Sequence, residues 1–203
     1  MEILTGQRRL QAGEIRANGT LYTATRAEAR QHKIRYLPEE PLRNACAPKM
    51  SVADNLAFKM FDVGRNGRPA FWCSRKDIAR NADRLIAEFN VKTTSPDARI
   101  ASLSGGNVQR AVLGRELTGE VNALIISNPC FGLDFGAVSA IRDRIIEARN
   151  NGTAVLLISE DLDEIMELSD RILVMSEGRI AFETTAAAAD LTEIGQHMAG
   201  HAA

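Results

Sequence analysis

The sequence predicts an α/β fold, a parallel sheet with crossover helices and a helical insert, from three observations. Short apolar runs alternate with segments of helical periodicity along most of the chain. Two of those runs, Ala123–Ser127 and Thr153–Ser159, are almost continuously apolar, as strands covered on both faces are. Between them Ala137–Asn150 carries Val138, Ile141, Ile145 and Ile146 at helical spacing and ends in Asn150-Asn151-Gly152, a left-handed cap signal. These three segments read as one right-handed β-α-β unit.

The remaining elements follow from the same patterns. Strands are expected at Glu14–Ala17, Ile34–Leu37, Arg171–Met175 and Arg179–Glu183. The last two flank Ser176-Glu177-Gly178 with hairpin spacing, and the hairpin is expected to close the sheet edge. From Met50 to Val91 the pattern turns helical, with Val52–Phe61 and Lys76–Phe89 joined by a loop over Gly64–Pro69. The expected division is an α/β core over 1–45 and 97–203 with a helical subdomain over 46–96. The tail around Ala186–Ala189 is helix-compatible, and Trp72 is expected to pack inside the insert.

Composition sets outer limits on function. At 203 residues, 45% hydrophobic and 25% charged, the chain has the make-up of a folded domain rather than a disordered tail. Twenty-five basic and 26 acidic residues give a net charge of -1, so no global field draws in nucleic acid or an anionic membrane. Any anion site is therefore local. Cys46, Cys73 and Cys130 form no Cys-x-x-Cys pair, and His32, His197 and His201 are the only imidazoles, which argues against structural zinc and fits a reducing compartment. Met1–Arg9 lacks a signal-peptide pattern, and no apolar run approaches the ~20 residues of a spanning helix.

The segment Leu103-Ser104-Gly105-Gly106-Asn107-Val108-Gln109-Arg110, followed by a helical run through Leu117, is the strongest chemical feature. Ser104 reads as a helix N-cap, and the two glycines admit another molecule to the backbone. The opening N–H groups and the positive dipole end suit an anion. A plain Ser-Gly-Gly cap explains the same residues equally well. Downstream, the strand Ala123–Ser127 runs into Asn128-Pro129-Cys130-Phe131-Gly132-Leu133-Asp134 and then a helix.

In this order the segments resemble the ATP-binding cassette (ABC) ATPases of membrane transporters. There a Leu-Ser-Gly-Gly signature, a Walker B strand, a Leu-Asp D-loop and a strand ending in a switch histidine succeed one another. Leu168-Ser169-Asp170-Arg171-Ile172 and Glu177-Gly178-Arg179-Ile180 look like that family's closing segment. Ile34-Arg35-Tyr36-Leu37-Pro38-Glu39-Glu40 resembles its Q-loop strand, and Met50-Ser51-Val52-Ala53-Asp54-Asn55-Leu56 the start of its helical subdomain. The Pro-Glu step, Gly-Gly-Asn-x-Gln and Gly-Leu-Asp-Phe-Gly-Ala are similar to the second cassette of fused importers for simple sugars or nucleosides. The resemblance implies a P-loop NTPase-like fold.

Departures from the family pattern shape the expected mechanism. None of Lys33, Lys49, Lys59, Lys76 and Lys92 follows a glycine, so the Gly-x-x-x-x-Gly-Lys loop that cradles phosphates is absent from this sequence. The resemblance places Glu2-Ile3-Leu4-Thr5-Gly6 in the helix leaving that loop, so the N-terminal strands are expected to be missing. Ser127 and Asn128 stand where the family has a metal-organising Asp and a catalytic Glu, and Glu160 where it has the switch histidine. An amide orients water but does not take its proton, and general-base catalysis contributes ~10²–10⁴-fold.

ATP hydrolysis by this chain's own site is therefore not expected. The resemblance instead implies Mg-ATP at a composite interface, with Ser104, Gly105, Gly106, Asn107 and Gln109 facing a nucleotide held by another cassette. Asp134 is expected to signal across that interface, and Glu39, Ser127, Asn128 and Glu160 to line the altered site. The implied partners are that second cassette and transmembrane permease subunits, not nucleic acid, at the cytoplasmic face of a membrane. A soluble ABC protein outside transport, or a non-catalytic fragment, is the competing expectation.

Overall fold

The computed structural model describes residues 1–60 and 74–199, so the loop at 64–69, the end of the helix at 61, and Trp72 and Cys73 lie outside it. The chain forms two compact units, Met1–Leu156 and Leu157–Ala203. The first unit holds the described helices of the 46–96 segment together with the first four strands of the chain.

The first unit opens with a hydrogen-bonded turn, not the expected helix: the Thr5 N–H reaches Met1 O at 3.2 Å and the Gly6 N–H reaches Ile3 O at 3.2 Å. Strands β1 (Arg16–Ala17) and β2 (Thr20–Leu21) then form a small antiparallel hairpin. Asn18 and Gly19 turn it with φ of 50° and 77°, the left-handed pair a two-residue hairpin requires. Helix α1 (Arg26–Gln31) starts at a capping box in which Thr25 and Glu28 bond each other's backbone. The hydroxyls and amides of Thr23 and Thr25 hold the Glu28 carboxyl down at about 2.

Strand β3 (Ile34–Leu37) pairs in parallel with β4 (Ala123–Ser127), Ile34 opposite Ala123 and Leu37 opposite Ile126, and β5 (Ala154–Ile158) completes the sheet in the order β3-β4-β5. Between β3 and β4 come α2 (Pro41–Asn44), α3 (Val52–Leu56), α4 (Arg75–Glu88), a 3-10 turn at Ile100–Ser102 and α5 (Gly105–Glu116). Helix α6 (Phe135–Asn150) crosses over from β4 to β5. Leu124, Ile126, Ile141, Ile145, Val108 and Leu113 are all at most 2% exposed and form the core of this layer. Burial of each such side chain is worth about 1.5–3 kcal/mol.

Two expectations are corrected. Strand β5 is not covered on both faces: Leu156 and Ile158 are 42% and 40% exposed while Val155 and Leu157 are half-buried. Alternate residues of a strand point to opposite faces, and an all-apolar run does not reveal which face is open. In the second unit, β6 (Arg171–Ser176) and β7 (Arg179–Thr185) form a two-stranded sheet of their own rather than the edge of the parallel one. Ile172 and Val174 of β6 pack with Ile194 of α8 (Leu191–Met198), and Leu162, Ile165 and Met166 of α7 (Leu162–Leu168) join them. The opposite face carries Leu173 and Met175 outward.

Candidate functional site

Helix α5 begins where the sequence places its cap, but Ser104 does not cap it through its side chain. The Ser104 hydroxyl instead accepts from Asn107 Nδ2 at 2.9 Å, and Asn107 Oδ1 accepts the Lys92 N–H at 2.8 Å. With a lone pair committed to Asn107, the hydroxyl keeps its hydrogen for an outside acceptor. The N–H groups of Gly105 and Gly106 have no carbonyl one turn earlier in the helix to meet. Ser104 and Gly105 are exposed, so this tip fits an anionic oxygen: a hydroxyl, an open helix N-terminus and no side chain at 105.

Gly106 also serves packing: a Cβ there would lie 2.9 Å from Ala137 Cβ, so its lack of a side chain lets helix α6 approach. Gln109 is 3% exposed and faces the interior of the unit instead of the tip. Leu133 lies against the tip, its Cδ2 3.7 Å from where a Cβ of Gly105 would stand. Asp134 caps α6, accepting the Ala137 N–H at 3.0 Å. The structure thus brings Ser104-Gly105 and Leu133-Asp134 together. Arg110 bolts the junction by donating to Gly136 O at 3.1 Å.

A second group forms where the two paired parallel strands end. Asn128, with φ 42°, donates from Nδ2 to Glu39 Oε2 at 3.2 Å. Ser127, the last residue of β4, is half-buried beside it in sequence. Burial and then the charges of Glu2 and Glu39 push the Tyr36 phenol above its ordinary range. Glu160 belongs to the second unit, in the bend before the α7 cap Asp161. Among the described residues no three His, Cys, Asp or Glu side chains cluster tightly enough to cage a metal ion.

Sequence reasoning missed Phe131 and Phe135, 76% and 96% exposed on either side of Leu133 and Asp134. Two aromatic residues within five positions of a turn were a visible signal, since an α/β core would bury them. It also missed Arg110 and the bracing role of Asn107, which tertiary contacts alone define.

A family model described as ABC transporter matches residues 1–130. The chain is 37% identical over 202 residues to the glucose import ATP-binding protein TsgD13 of Haloferax volcanii, covering 98% of this chain and 36% of that one. It is 33% identical over 201 residues to the nucleoside import ATP-binding protein NupA of Lactococcus lactis, covering 98% and 40%. The chain therefore spans well under half the length of these relatives. Among solved structures, the dimeric post-hydrolysis state of the ATP-binding cassette MJ0796 bound to ADP and Pi superposes with a TM-score of 0.73 at 16% identity, covering 91% of this chain and 78% of that one. The cassette MJ1267 superposes at 0.72 with 19% identity, covering 98% and 78%. The fold of the chain is that of these cassettes.

Proposed function

The chain belongs to the ABC transporter family, and from that premise we propose that it is the second-half ATP-binding cassette of an importer for simple sugars or nucleosides. It supplies the signature tip to an ATP site whose phosphate loop, metal ligand and base belong to another cassette. Its own catalytic half is degenerate. The solutes follow from relatives named for glucose and nucleoside import. Permease subunits are the partners this reading requires.

The observation that carries the reading is the contrast between the two groups. The tip is built to meet a phosphate, with Ser104 and Gly105 exposed and braced by Asn107 and Leu133. The strand end has Ser127 and Asn128, which cannot take up a proton from water at neutral pH. Seen from the partner's nucleotide, the Ser104 hydroxyl and Gly105 N–H donate to the terminal phosphoryl oxygens, and the α5 dipole favours the charge building up there. Asp134 fixes the start of α6 and thereby the face that meets the partner.

The test is reconstitution with a cassette that carries a complete phosphate loop. The chain alone is expected to turn over no ATP above background. The pair is expected to hydrolyse it, Ser104→Arg to abolish turnover, and Asp83→Arg on the exposed face of α4 to leave it unchanged. Turnover by the chain alone, or an unaffected Ser104→Arg complex, overturns the proposal.

A further inference from the structure

The sequence holds three Asn-Gly steps, Asn18-Gly19, Asn66-Gly67 and Asn151-Gly152, of which the second lies outside the described residues. Such a step can react with itself. Once the glycine N–H gives up its proton, the nitrogen attacks the asparagine side-chain carbonyl carbon, a new N–C bond closes a five-membered succinimide, and the side-chain nitrogen leaves as ammonia. Water then opens the ring at one of its two carbonyls. One opening gives aspartate; the other gives isoaspartate, in which the main chain runs through the side-chain methylene. Glycine favours the attack because no Cβ shields its nitrogen.

Exposure does not separate the two described steps, since all four residues face solvent. The backbone around them does. Ring closure needs a rotation at the asparagine that takes it out of its turn, so the turn must open first. Asn151-Gly152 ends α6 and is tied down: the N–H groups of Asn151, Gly152 and Thr153 donate to Glu147 O, Arg149 O and Ala148 O at 3.0, 2.9 and 3.1 Å. Thr153 is buried with its hydroxyl on Val121 O at 2.9 Å, and the Ala154 N–H reaches Asn122 O at 2.9 Å where β5 starts. Opening this turn frays a helix end and a strand start together.

Asn18-Gly19 is the whole loop of a hairpin with only two pairs, Arg16 with Leu21 and Ala17 with Thr20. A ladder that short is marginal. In such a turn the closing bond joins the flanking residues, so the attacking N–H is not engaged by it. The side-chain ties are Arg16 Nη1 to Gly19 O at 3.2 Å and Thr20 Oγ1 to Ala17 O at 2.8 Å, both exposed to water that replaces them. Local opening costs least where backbone is this weakly held.

We propose that Asn18 is a self-modification site, converted in the folded chain with water as the only co-reactant and one ammonia released, and that its isoaspartate form opens the β1–β2 hairpin. Aspartate keeps the turn, because Asp-Gly suits the same left-handed pair. Isoaspartate adds an atom to the main chain, which a two-residue loop does not accommodate. Ile15 and Asn18 wall the 340 Å³ hollow together with Tyr22, Leu124 and Leu156, so an opened hairpin uncovers apolar surface of the sheet.

The test ages the full chain in mildly alkaline buffer, folded and in urea, and follows each asparagine by peptide mass spectrometry with isoaspartate-specific methylation. In urea both steps are expected to convert at similar rates, since no turn restrains either. In the folded chain Asn18 is expected to outpace Asn151 by at least about tenfold, because three backbone bonds guard the latter. The separated isoaspartate form is expected to exchange amides of residues 15–22 faster and to bind more ANS than the fresh chain, and Asn18→Asp to match the fresh chain in both. Equal conversion at the two sites in the folded chain, or none at Asn18 while the urea sample reacts, overturns the site. Fresh-chain exchange or fluorescence in the isoaspartate form overturns the opened hairpin. Faster exchange in Asn18→Asp overturns its assignment to the rerouted backbone, since charge alone then suffices.

Discussion

Arg115 shows how one residue can hold several segments of the first unit together. Its side chain is 6% exposed, its Nε donates to Glu116 Oε1 at 3.0 Å and its Nη1 to the carbonyls of Ala45 and Asn55 at 2.8 and 3.3 Å. The guanidinium also lies 5.3 Å from the Phe58 ring centre, and Lys59 Nζ approaches Glu116 Oε2 at 3.1 Å. Removing one member of such a buried pair leaves the other charge poorly compensated, at about 3–5 kcal/mol. Arg115→Met is therefore expected to lower the urea midpoint sharply, and Arg115→Met with Glu116→Leu to recover much of the loss. Equal losses in both would mean that the carbonyl contacts, not the charge pair, dominate. The neighbouring Cys46 thiol, pushed up to about 11 mainly by burial, belongs to the same dry region and stays protonated at neutral pH. None of this network was legible in the sequence, where Arg115-Glu116 looks like an ordinary charged helix end.

At the scale of elements, the closeness of α5 to α6 sets the shape of the tip. Gly106→Ala would place a methyl 2.9 Å from Ala137 Cβ, a group fixed to the α6 backbone that cannot swing aside. The overpacking costs about 1–3 kcal/mol, against up to ~1 kcal/mol gained in helix propensity. Gly105→Ala meets only Leu133 Cδ2, at an ordinary 3.7 Å. Thermal unfolding is thus expected to separate two adjacent glycines that look alike in sequence, with Gly106→Ala melting earlier and Gly105→Ala unchanged. Strands β3 and β4 and helix α6 were legible because apolar periodicity is local. Helices α1, α2 and α7 escaped notice because each is seven residues or shorter, too short for periodicity to declare itself. Caps define two of them: the Thr25 and Glu28 box starts α1, and Asp161 accepts two N–H groups at the start of α7.

For the molecule as a whole, exposed apolar surface is the property with most consequence. Among the described residues no helix is long and apolar enough to cross a membrane. Yet Leu156 on β5, Leu173 and Met175 on β6, Ile180 on β7 and the Phe131–Phe135 turn all face outward. A hollow of 340 Å³ in the first unit is lined by Leu4, Ile15, Tyr22, Ile34, Leu124 and Leu156. Surface of this kind marks places where other polypeptide belongs. The purified chain is expected to enhance the fluorescence of an apolar dye such as ANS while folded and to self-associate in light scattering. A monodisperse, dye-silent monomer would count against the idea that these faces need cover.

The sequence by itself determined the α/β class, the two paired parallel strands, the signature helix and the family, because these rest on local periodicity and on motifs whose order survives without coordinates. It also showed that Ser127 and Asn128, at the end of β4, carry a hydroxyl and an amide and no carboxylate, a matter of residue identity alone. Only the tertiary structure decided that Gly106 serves packing, that Gln109 is buried, that β6 and β7 form a sheet of their own, and that Asn128 reaches Glu39. Each of those depends on which surfaces meet across tens of residues of intervening chain, and burial and pairing are properties of such meetings.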